Sequence, residues 1–219
     1  MSLRLIGASE NRRTRWKNDG GWTTEIARDP STGDDFRWRV SIAEIESDGP
    51  FSTFPGIARD LLLLEGNGIE LDIDDAAPRR LSRRFERVHF AGESQVRCRL
   101  LAGATRDFNV MARRDAVRAE VVARPLVGSM LIFAEAGVEW LIHVLGGHVD
   151  VRGADQAIRA DAGASLQFDF RERESRDIGR VVLDGAGELV LAKFVTIRRE
   201  IVFDAADAKL DTDPDLAFS

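Results

Sequence analysis

The sequence predicts an all-β protein, made mainly of antiparallel strands arranged as two fused barrel-like or sandwich-like lobes with little helix. Three observations support this prediction. Many short segments alternate apolar and polar residues with the period of a half-buried strand. Glycine-rich turn signals separate these segments, and few stretches show helical periodicity. The 219 residues also suffice for one large domain or two small ones.

The alternation is clearest in residues 36–42, where apolar residues occupy one face and Arg37, Arg39 and Ser41 occupy the other. The same pattern recurs at residues 69–73, 96–100, 138–144, 149–151, 166–170 and 188–192. The turn signals are at residues 48–50, 65–68, 146–147 and 185–187. The candidates for short helices are residues 55–59 and the residues after Asp204.

A weak internal sequence similarity favours a chain made of two related halves. Residues 62–71 resemble residues 142–151, since each segment combines an apolar strand, a glycine turn and an alternating strand with an acidic residue. The predicted division gives an N-terminal lobe of residues 1–119 and a C-terminal lobe of residues 120–219. The second lobe ends in an acidic tail that begins at Asp204.

Charge and hydropathy exclude two classes of partner. The formal net charge is −6, whereas sequence-independent binding to nucleic acid needs cations that neutralise phosphates. No apolar run approaches the roughly 18 residues of a membrane-spanning helix. We therefore expect neither nucleic acid nor a membrane as a partner. Because Cys98 is the sole cysteine and cannot form an internal disulfide, we expect a cytoplasmic protein.

The chain also has few residues that bind metals. Its histidines are His89, His143 and His148, and with Cys98 they offer little material for a zinc or iron site. His143 and His148 flank a glycine pair and could face each other across a hairpin, yet two ligands are too few for a structural metal. We expect them to be ordinary strand residues, and we expect no metal and no other cofactor.

Residues 16–25 form the most unusual segment of the chain. Trp16 offers a flat apolar wall, Lys17 a cation, and Asn18 both a hydrogen-bond donor and an acceptor. The glycine pair that follows lets the backbone approach a ligand closely or adopt positive φ. A turn with an aromatic plug is the simpler interpretation, because glycine pairs mark turns more often than sites.

A second candidate is Arg59, which follows a rigid segment with two prolines, two glycines, Phe51 and Phe54. An arginine at the mouth of a strand and beside aromatic rings is suited to bind a carboxylate. The alternative is an arginine that caps loop carbonyls or lies over Phe54.

A third candidate is the segment 107–114, in which Asn109 shares strand parity with Asp107 and could belong to a polar inward row. The alternative is that Asp107 pairs with Arg113 or Arg114. The arginine-rich run at residues 79–87 is interpreted as a solvated loop.

Several of these motifs together resemble the HutD/Ves family of bacterial cupin-like proteins. The matching blocks are residues 16–27, 36–43, 48–56, 63–66 and 107–111, which appear in the family's order. The resemblance covers roughly residues 16–114, and the second half matches only in its general β pattern. It implies a bicupin fold and a link to histidine utilisation, with no established enzymatic activity. The ligands it suggests are urocanate, formiminoglutamate and formylglutamate.

The chain departs from relatives of this kind in two respects. Cupin enzymes carry a His-x-His motif and a distant third histidine around a metal, and this sequence has no such motif. The family's pattern commonly has glycine where Asp19 stands. Aspartate tolerates positive φ better than most residues, so the turn can persist. Its carboxylate would either repel an acidic ligand or point outward.

The first functional hypothesis is a metal-independent protein that binds a small carboxylate and regulates amino-acid catabolism. Its expected ligand-binding residues are Trp16, Lys17, Asn18, Glu25, Arg39, Ser41, Arg59 and Asn109. The second hypothesis is a metal-free isomerase or hydrolase with Glu25 or Glu44 as general base. The third is an interaction module without a ligand pocket. The expected partner is a small anionic ligand, and a homodimer is also considered.

Overall fold

The structure, a computed structural model, describes residues 2–33, 35–152, 158–172 and 179–197. These residues form sixteen strands and one turn of 3-10 helix, Ala8–Glu10. The strands are β1 (Ser2–Ile6), β2 (Arg12–Arg15), β3 (Gly21–Asp29), β4 (Trp38–Ile45), β5 (Gly49–Pro50), β6 (Ile57–Glu65), β7 (Ile69–Ile73), β8 (Arg79–Leu81), β9 (Arg87–Ala91), β10 (Val96–Leu100), β11 (Thr105–Arg113), β12 (Val117–Ala134), β13 (Val138–Arg152), β14 (Ile158–Asp161), β15 (Ser165–Asp169) and β16 (Gly179–Thr196). Within these ranges no helix has the length and apolar character needed to cross a membrane.

The strands pair antiparallel in three sheets. The central sheet has the order β2-β3-β4-β11-β6-β9, and the outer sheet has the order β5-β10-β7-β8. The C-terminal sheet has the order β1-β15-β13-β16-β12, with β14 beside β13. The central and outer sheets form the first lobe, and the C-terminal sheet forms the second. The predicted all-β fold of two fused antiparallel lobes is therefore confirmed.

The central sheet packs on both of its faces because its strands alternate side chains between them. Trp38 and Val40 of β4 face the C-terminal sheet and join the core between the lobes. The indole of Trp38 stacks on Phe194 of β16, with ring centroids 4.4 Å apart. On the opposite face, Ile45 of β4 and Leu63 of β6 pack against the outer sheet. The side of the central sheet toward the outer sheet also carries the candidate site.

The second lobe has a core of its own, formed by apolar side chains such as Phe168 and Leu189. The first strand of the chain, β1, pairs with β15 and so belongs to the C-terminal sheet. Strand β12 begins at Val117, so the predicted division between residues 119 and 120 falls inside it. That division stays a prediction.

Two local predictions are wrong. Residues 57–59 begin strand β6 instead of forming a helix, because Ile57 and Arg59 face the interior of the first lobe. The glycine pair at 146–147 forms no hairpin, since β13 runs through it with a register shift between Val144 and Gly146. A Cβ atom on Gly147 would lie 2.0 Å from the Ala186 carbonyl oxygen, so Gly147 permits close strand contact.

The two histidines near that pair consequently lie on one strand and do not face each other across a hairpin. His143 is buried, and its Nδ1 lies 2.8 Å from the hydroxyl oxygen of Ser165. Burial lowers the pKa of His143 to about 4, so the ring is neutral at physiological pH. The prediction of an ordinary strand residue fits His143. The other helix candidate, after Asp204, lies outside the described residues.

Asp107 places a carboxyl group in the core of the first lobe. It is fully buried, and the hydroxyl of Thr105 donates a hydrogen bond of 2.8 Å to its Oδ2. Its Oδ1 has no hydrogen-bond partner among the described residues. The alternative in which Asp107 pairs with Arg113 or Arg114 is wrong, because these arginines pair with the carboxylates of Asp35 and Glu93. Burial raises the pKa of Asp107 to about 7.

We expect Asp107→Asn to stabilise the protein above neutral pH. The folded-state pKa of about 7 lies above the ordinary value of 3.8, so the buried carboxylate destabilises the fold increasingly as pH rises between these values. A shift of this size corresponds to at most about 4 kcal/mol. Urea unfolding should show a higher free energy of unfolding for the variant at pH 8 and a clearly smaller difference at pH 5.

The exposed Asp19→Asn is the control for this measurement, and it should change the free energy of unfolding little at either pH. Equal stabilities of Asp107→Asn and the wild type at pH 8 would show that the buried carboxyl group carries no such penalty.

Candidate ligand-binding cavity

The register of the central sheet brings polar side chains together on the face toward the outer sheet. Met111 of β11 lies opposite both Arg39 of β4 and Arg59 of β6. Two residues earlier on β11, Asn109 lies opposite Ser41. Because alternate residues of a strand share a face, these five residues form two adjacent rows. The polar inward row that strand parity predicts around Asn109 is therefore present.

Both rows line a cavity of about 680 Å³ in the first lobe. Seven of the eight predicted site residues line it, namely Trp16, Lys17, Asn18, Arg39, Ser41, Arg59 and Asn109. The other walls come from β2 and β3, from residues 50–54, and from further inward positions of β4, β6 and β11. Glu25, the eighth residue, does not line the cavity.

Arg59 is the most buried charged residue of the cavity, with 6% of its surface exposed. Its Nη1 donates a hydrogen bond of 3.2 Å to the carbonyl oxygen of Ser52. The guanidinium carbon lies 5.4, 5.5 and 5.0 Å from the ring centroids of Phe51, Phe54 and Phe90. The alternative role, in which Arg59 caps a loop carbonyl and lies over Phe54, thus describes part of its surroundings.

Those contacts leave the Arg59 guanidinium incompletely satisfied. Its Nε is buried, and within the described ranges it has no hydrogen-bond partner and no carboxylate forms an ion pair with the guanidinium. Burial and, secondarily, the nearby Arg39 lower the pKa of Arg59 to about 10. The side chain therefore remains a cation at neutral pH. A buried cation without a counterion is costly, and an anionic ligand would supply the missing partner.

Arg39, in contrast, already has a counterion. Its Nε donates a hydrogen bond of 2.5 Å to Oε2 of Glu25 on the neighbouring strand β3. This ion pair fixes the guanidinium of Arg39 at the cavity wall and keeps Glu25 behind it. Glu25 therefore acts on the cavity through Arg39 and not by direct contact.

Uncharged polar groups complete the wall. Asn109 is buried, and its Oδ1 has no hydrogen-bond partner among the described residues. Ser41 is also buried. An amide and a hydroxyl at these positions offer donors and acceptors to the polar groups of a ligand.

The loop before β3 forms the opposite side of the cavity. The indole Nε1 of Trp16 donates a hydrogen bond of 2.8 Å to Oγ1 of Thr23, and its ring meets Phe51 edge-on at 6.5 Å. Asn18 supports the turn, since its Oδ1 accepts a hydrogen bond from the backbone N–H of Gly20. Lys17 is exposed and has no acidic partner among the described residues.

Asp19 adopts positive φ, 55°, and so occupies the backbone conformation that the family's glycine would adopt readily. Its side chain is 83% exposed and accepts a hydrogen bond from Nε of Arg15. Asp19 does not line the cavity. The outward orientation, one of the two outcomes considered from the sequence, is therefore the one observed.

The residues proposed as general bases are both engaged elsewhere. Glu25 is held by Arg39, as described above. Glu44 points away from the cavity, and its Oε2 lies 2.8 Å from Nη2 of Arg13. Neither carboxylate lines the cavity, so neither is in a position to act as a base on a ligand bound there.

Sequence reasoning missed several cavity residues. Met111 shares the strand parity of Asn109, so the alternation of β11 could have identified it. Arg15 lies on β2, whose sequence Arg-Arg-Thr-Arg has no apolar face from which to infer an orientation. Its guanidinium pairs with Glu46 at 2.6 Å.

A model of the HutD family matches residues 8–189. The chain belongs to the HutD family. A 21.2 kDa protein of Pseudomonas putida, named for the 3′ region of hutC, is 40% identical over 158 residues, which are 72% of this chain and 81% of that protein. Protein Ves of Citrobacter koseri is 37% identical over 150 residues, which are 68% and 75% of the two chains. The predicted HutD/Ves resemblance is thus confirmed.

Solved structures agree with this assignment. HutD of Pseudomonas fluorescens has 30% sequence identity and a TM-score of 0.74, and the match covers 90% of this chain and all of that one. An oxalate decarboxylase of Lactobacillus farciminis has 10% identity and a TM-score of 0.63, with 89% and 86% covered. The latter likeness concerns the fold alone and supports the bicupin architecture.

The cavity does not offer the donors that hold the metal of cupin enzymes. Within the described ranges, no group of three or more His, Cys, Asp or Glu side chains is placed to hold a metal ion. The charged side chains that line the cavity are the cations Arg15, Lys17, Arg39 and Arg59. Guanidinium and ammonium groups repel a metal cation. This set of side chains therefore fits an anion and not a metal.

We expect Gly21→Ala to destabilise the protein and disturb the cavity. A Cβ atom at Gly21 would lie 2.2 Å from the carbonyl oxygen of Glu44, so β3 would have to move away from β4. Overpacking of this kind typically costs about 1–3 kcal/mol. Gly146→Ala is the matched control, because a Cβ atom there meets nothing within 4 Å. Equal losses of thermal stability in the two variants would refute the steric argument.

Proposed function

We propose that this protein binds a small carboxylate in the cavity of the first lobe and acts, without a metal, as a regulatory binding protein in histidine utilisation. The observation that carries the proposal is the buried Arg59 guanidinium, whose Nε lacks a partner and which has no carboxylate counterion among the described residues.

A carboxylate matches the geometry of this group. Nη1 of Arg59 donates a hydrogen bond to Ser52, whereas Nε has no partner among the described residues, and a carboxylate is a planar anion that can accept two parallel hydrogen bonds from a guanidinium. Each hydrogen bond to a charged group contributes about 1.5–3 kcal/mol, so two or three of them support micromolar binding after the costs of association. Asn109 and Ser41, which also line the cavity, would bind further polar groups of the ligand, and Trp16 would close the cavity over it.

The net charge of the wall favours an anion as well. Glu25 neutralises Arg39, and Glu46 neutralises Arg15, so Arg59 and Lys17 remain as the lining cations without an acidic partner in the described part of the chain. Urocanate, formiminoglutamate and formylglutamate are the candidate ligands, since a P. putida relative is named for the hutC region and a P. fluorescens relative is called HutD.

Binding is favoured over the two alternatives by specific contacts. A metal-free isomerase or hydrolase would need a free general base, whereas the nominated Glu25 and Glu44 are ion-paired and lie outside the cavity wall. An interaction module without a ligand pocket predicts a filled barrel, whereas the first lobe holds a cavity of about 680 Å³.

Removal of the Arg59 guanidinium should weaken ligand binding at least tenfold. Isothermal titration calorimetry with each candidate acid would compare the wild type with Arg59→Ala, because that variant loses both the charge and the hydrogen bonds. A thermal-shift screen of the same acids identifies the ligand first, since stabilisation follows the ratio of ligand concentration to Kd.

Arg106→Ala is the matched control, because Arg106 is an exposed arginine of β11 that pairs with Glu65 and lies outside the cavity. It should leave the affinity unchanged. Unchanged affinity in Arg59→Ala would remove Arg59 from the site and overturn the proposal.

A further inference from the structure

Strand β12 is a long edge strand that packs differently along its two halves. Among the described strands it pairs only with β16, over eighteen residues and without a shift of register. Odd-numbered residues therefore share one face throughout the strand. In the first half, Val117 and Val121 on this face are buried in the core between the lobes.

In the second half of the strand, the same face extends beyond the interface between the lobes and is exposed. Val127 is 87% exposed, and Leu131 and Phe133 are each about half exposed. Even-numbered residues such as Ile132 fill the core of the second lobe instead. The exposed row of apolar side chains is thus continuous with a face that is buried elsewhere in the molecule.

The two halves also differ in how their free edge is protected. Residues 117–125 contain Arg118, Glu120, Arg124 and Pro125, which are the charges and proline that typically discourage unwanted strand pairing. Residues 126–134, Leu-Val-Gly-Ser-Met-Leu-Ile-Phe-Ala, contain no charged residue and no proline. A sheet edge that is apolar and lacks charged residues and proline is expected to be covered by another segment or another molecule in the native protein.

We propose that residues 126–134 form a homodimer interface, in which this segment of β12 pairs antiparallel with the same segment of a second copy of the chain. With a twofold axis between the two strands, the unpaired backbone N–H and C=O groups at the edge of each copy form hydrogen bonds with those of the other. It also brings the rows of Val127, Leu131 and Phe133 of two molecules together on one face, where cross-strand apolar pairs stabilise a sheet.

The placement of the chain's end favours a second copy over the chain's own C-terminal residues as the occupant. Thr196, near the end of the described chain, pairs with Val117 at the beginning of β12. The described chain therefore ends at the opposite end of the sheet from residues 126–134. A second copy needs no such return along the strand.

The oligomeric state tests this proposal directly. Light scattering coupled to size exclusion, at about 100 µM to reach weak interfaces, should give the mass of a dimer for the full chain. Leu131→Arg should give a monomer with an unchanged circular dichroism spectrum. Val127→Arg, at a position that is 87% exposed, is a second variant with the same expectation if Leu131→Arg fails to fold.

Val122→Arg is the matched control, because Val122 is an exposed apolar residue in the charged half of the same strand. It should remain dimeric. A monomeric full chain, a dimeric Val127→Arg, or equal dissociation by Val122→Arg would each overturn the proposal. It would also be overturned if a chain that ends at Ile197 dimerised while the full chain did not, since the C-terminal residues would then be the occupant.

Discussion

The strict alternation of side chains on the central sheet is the constraint on which both the fold and the cavity depend. Trp38 and Val40 of β4 bury themselves against the second lobe, while Arg39 and Ser41 between them face the cavity. A shift of one residue in register would exchange the two faces, placing the guanidinium in an apolar core. The apolar packing between the lobes thereby fixes the positions of the polar residues in the cavity.

Within that framework, the cavity is an electropositive site in an acidic protein. Most of its arginines are neutralised by neighbouring carboxylates, as Arg39 is by Glu25, and such pairs fix geometry without leaving net charge. Arg59 is held by aromatic rings and one carbonyl, which position it but do not neutralise it. The protein thus carries a destabilising group in the unliganded state, as binding sites commonly do. The buried Asp107 adds a second, pH-dependent cost in the same lobe.

Alternation and the glycine-rich turn signals predicted the all-β fold, and alternation assigned Arg39 and Ser41 to the polar face of one strand and Asn109 to a polar row of another, because strand parity is a local property of the sequence. Arg59 was predicted from the aromatic residues that flank it in the sequence, and Lys17 was predicted from the unusual composition of its loop. The predictions that were wrong concerned features that depend on tertiary contacts. A glycine pair signals a turn locally, whereas Gly147 permits close approach to β16 within a continuous strand. The ion pair with Arg39 likewise keeps Glu25 off the cavity wall, and no local pattern indicates that partner.

Nitrogen-15 NMR of the arginine side chains directly observes Nε of Arg59, the atom proposed to donate to the carboxylate of a ligand. The Nε–H resonance of Arg59 is assigned by its loss in Arg59→Lys. When a carboxylate found by thermal shift is added, we expect this resonance to move downfield and to exchange more slowly with water. If the ligand binds while the Arg59 Nε–H resonance stays unchanged, the carboxylate lies elsewhere and Arg59 is not its binding partner.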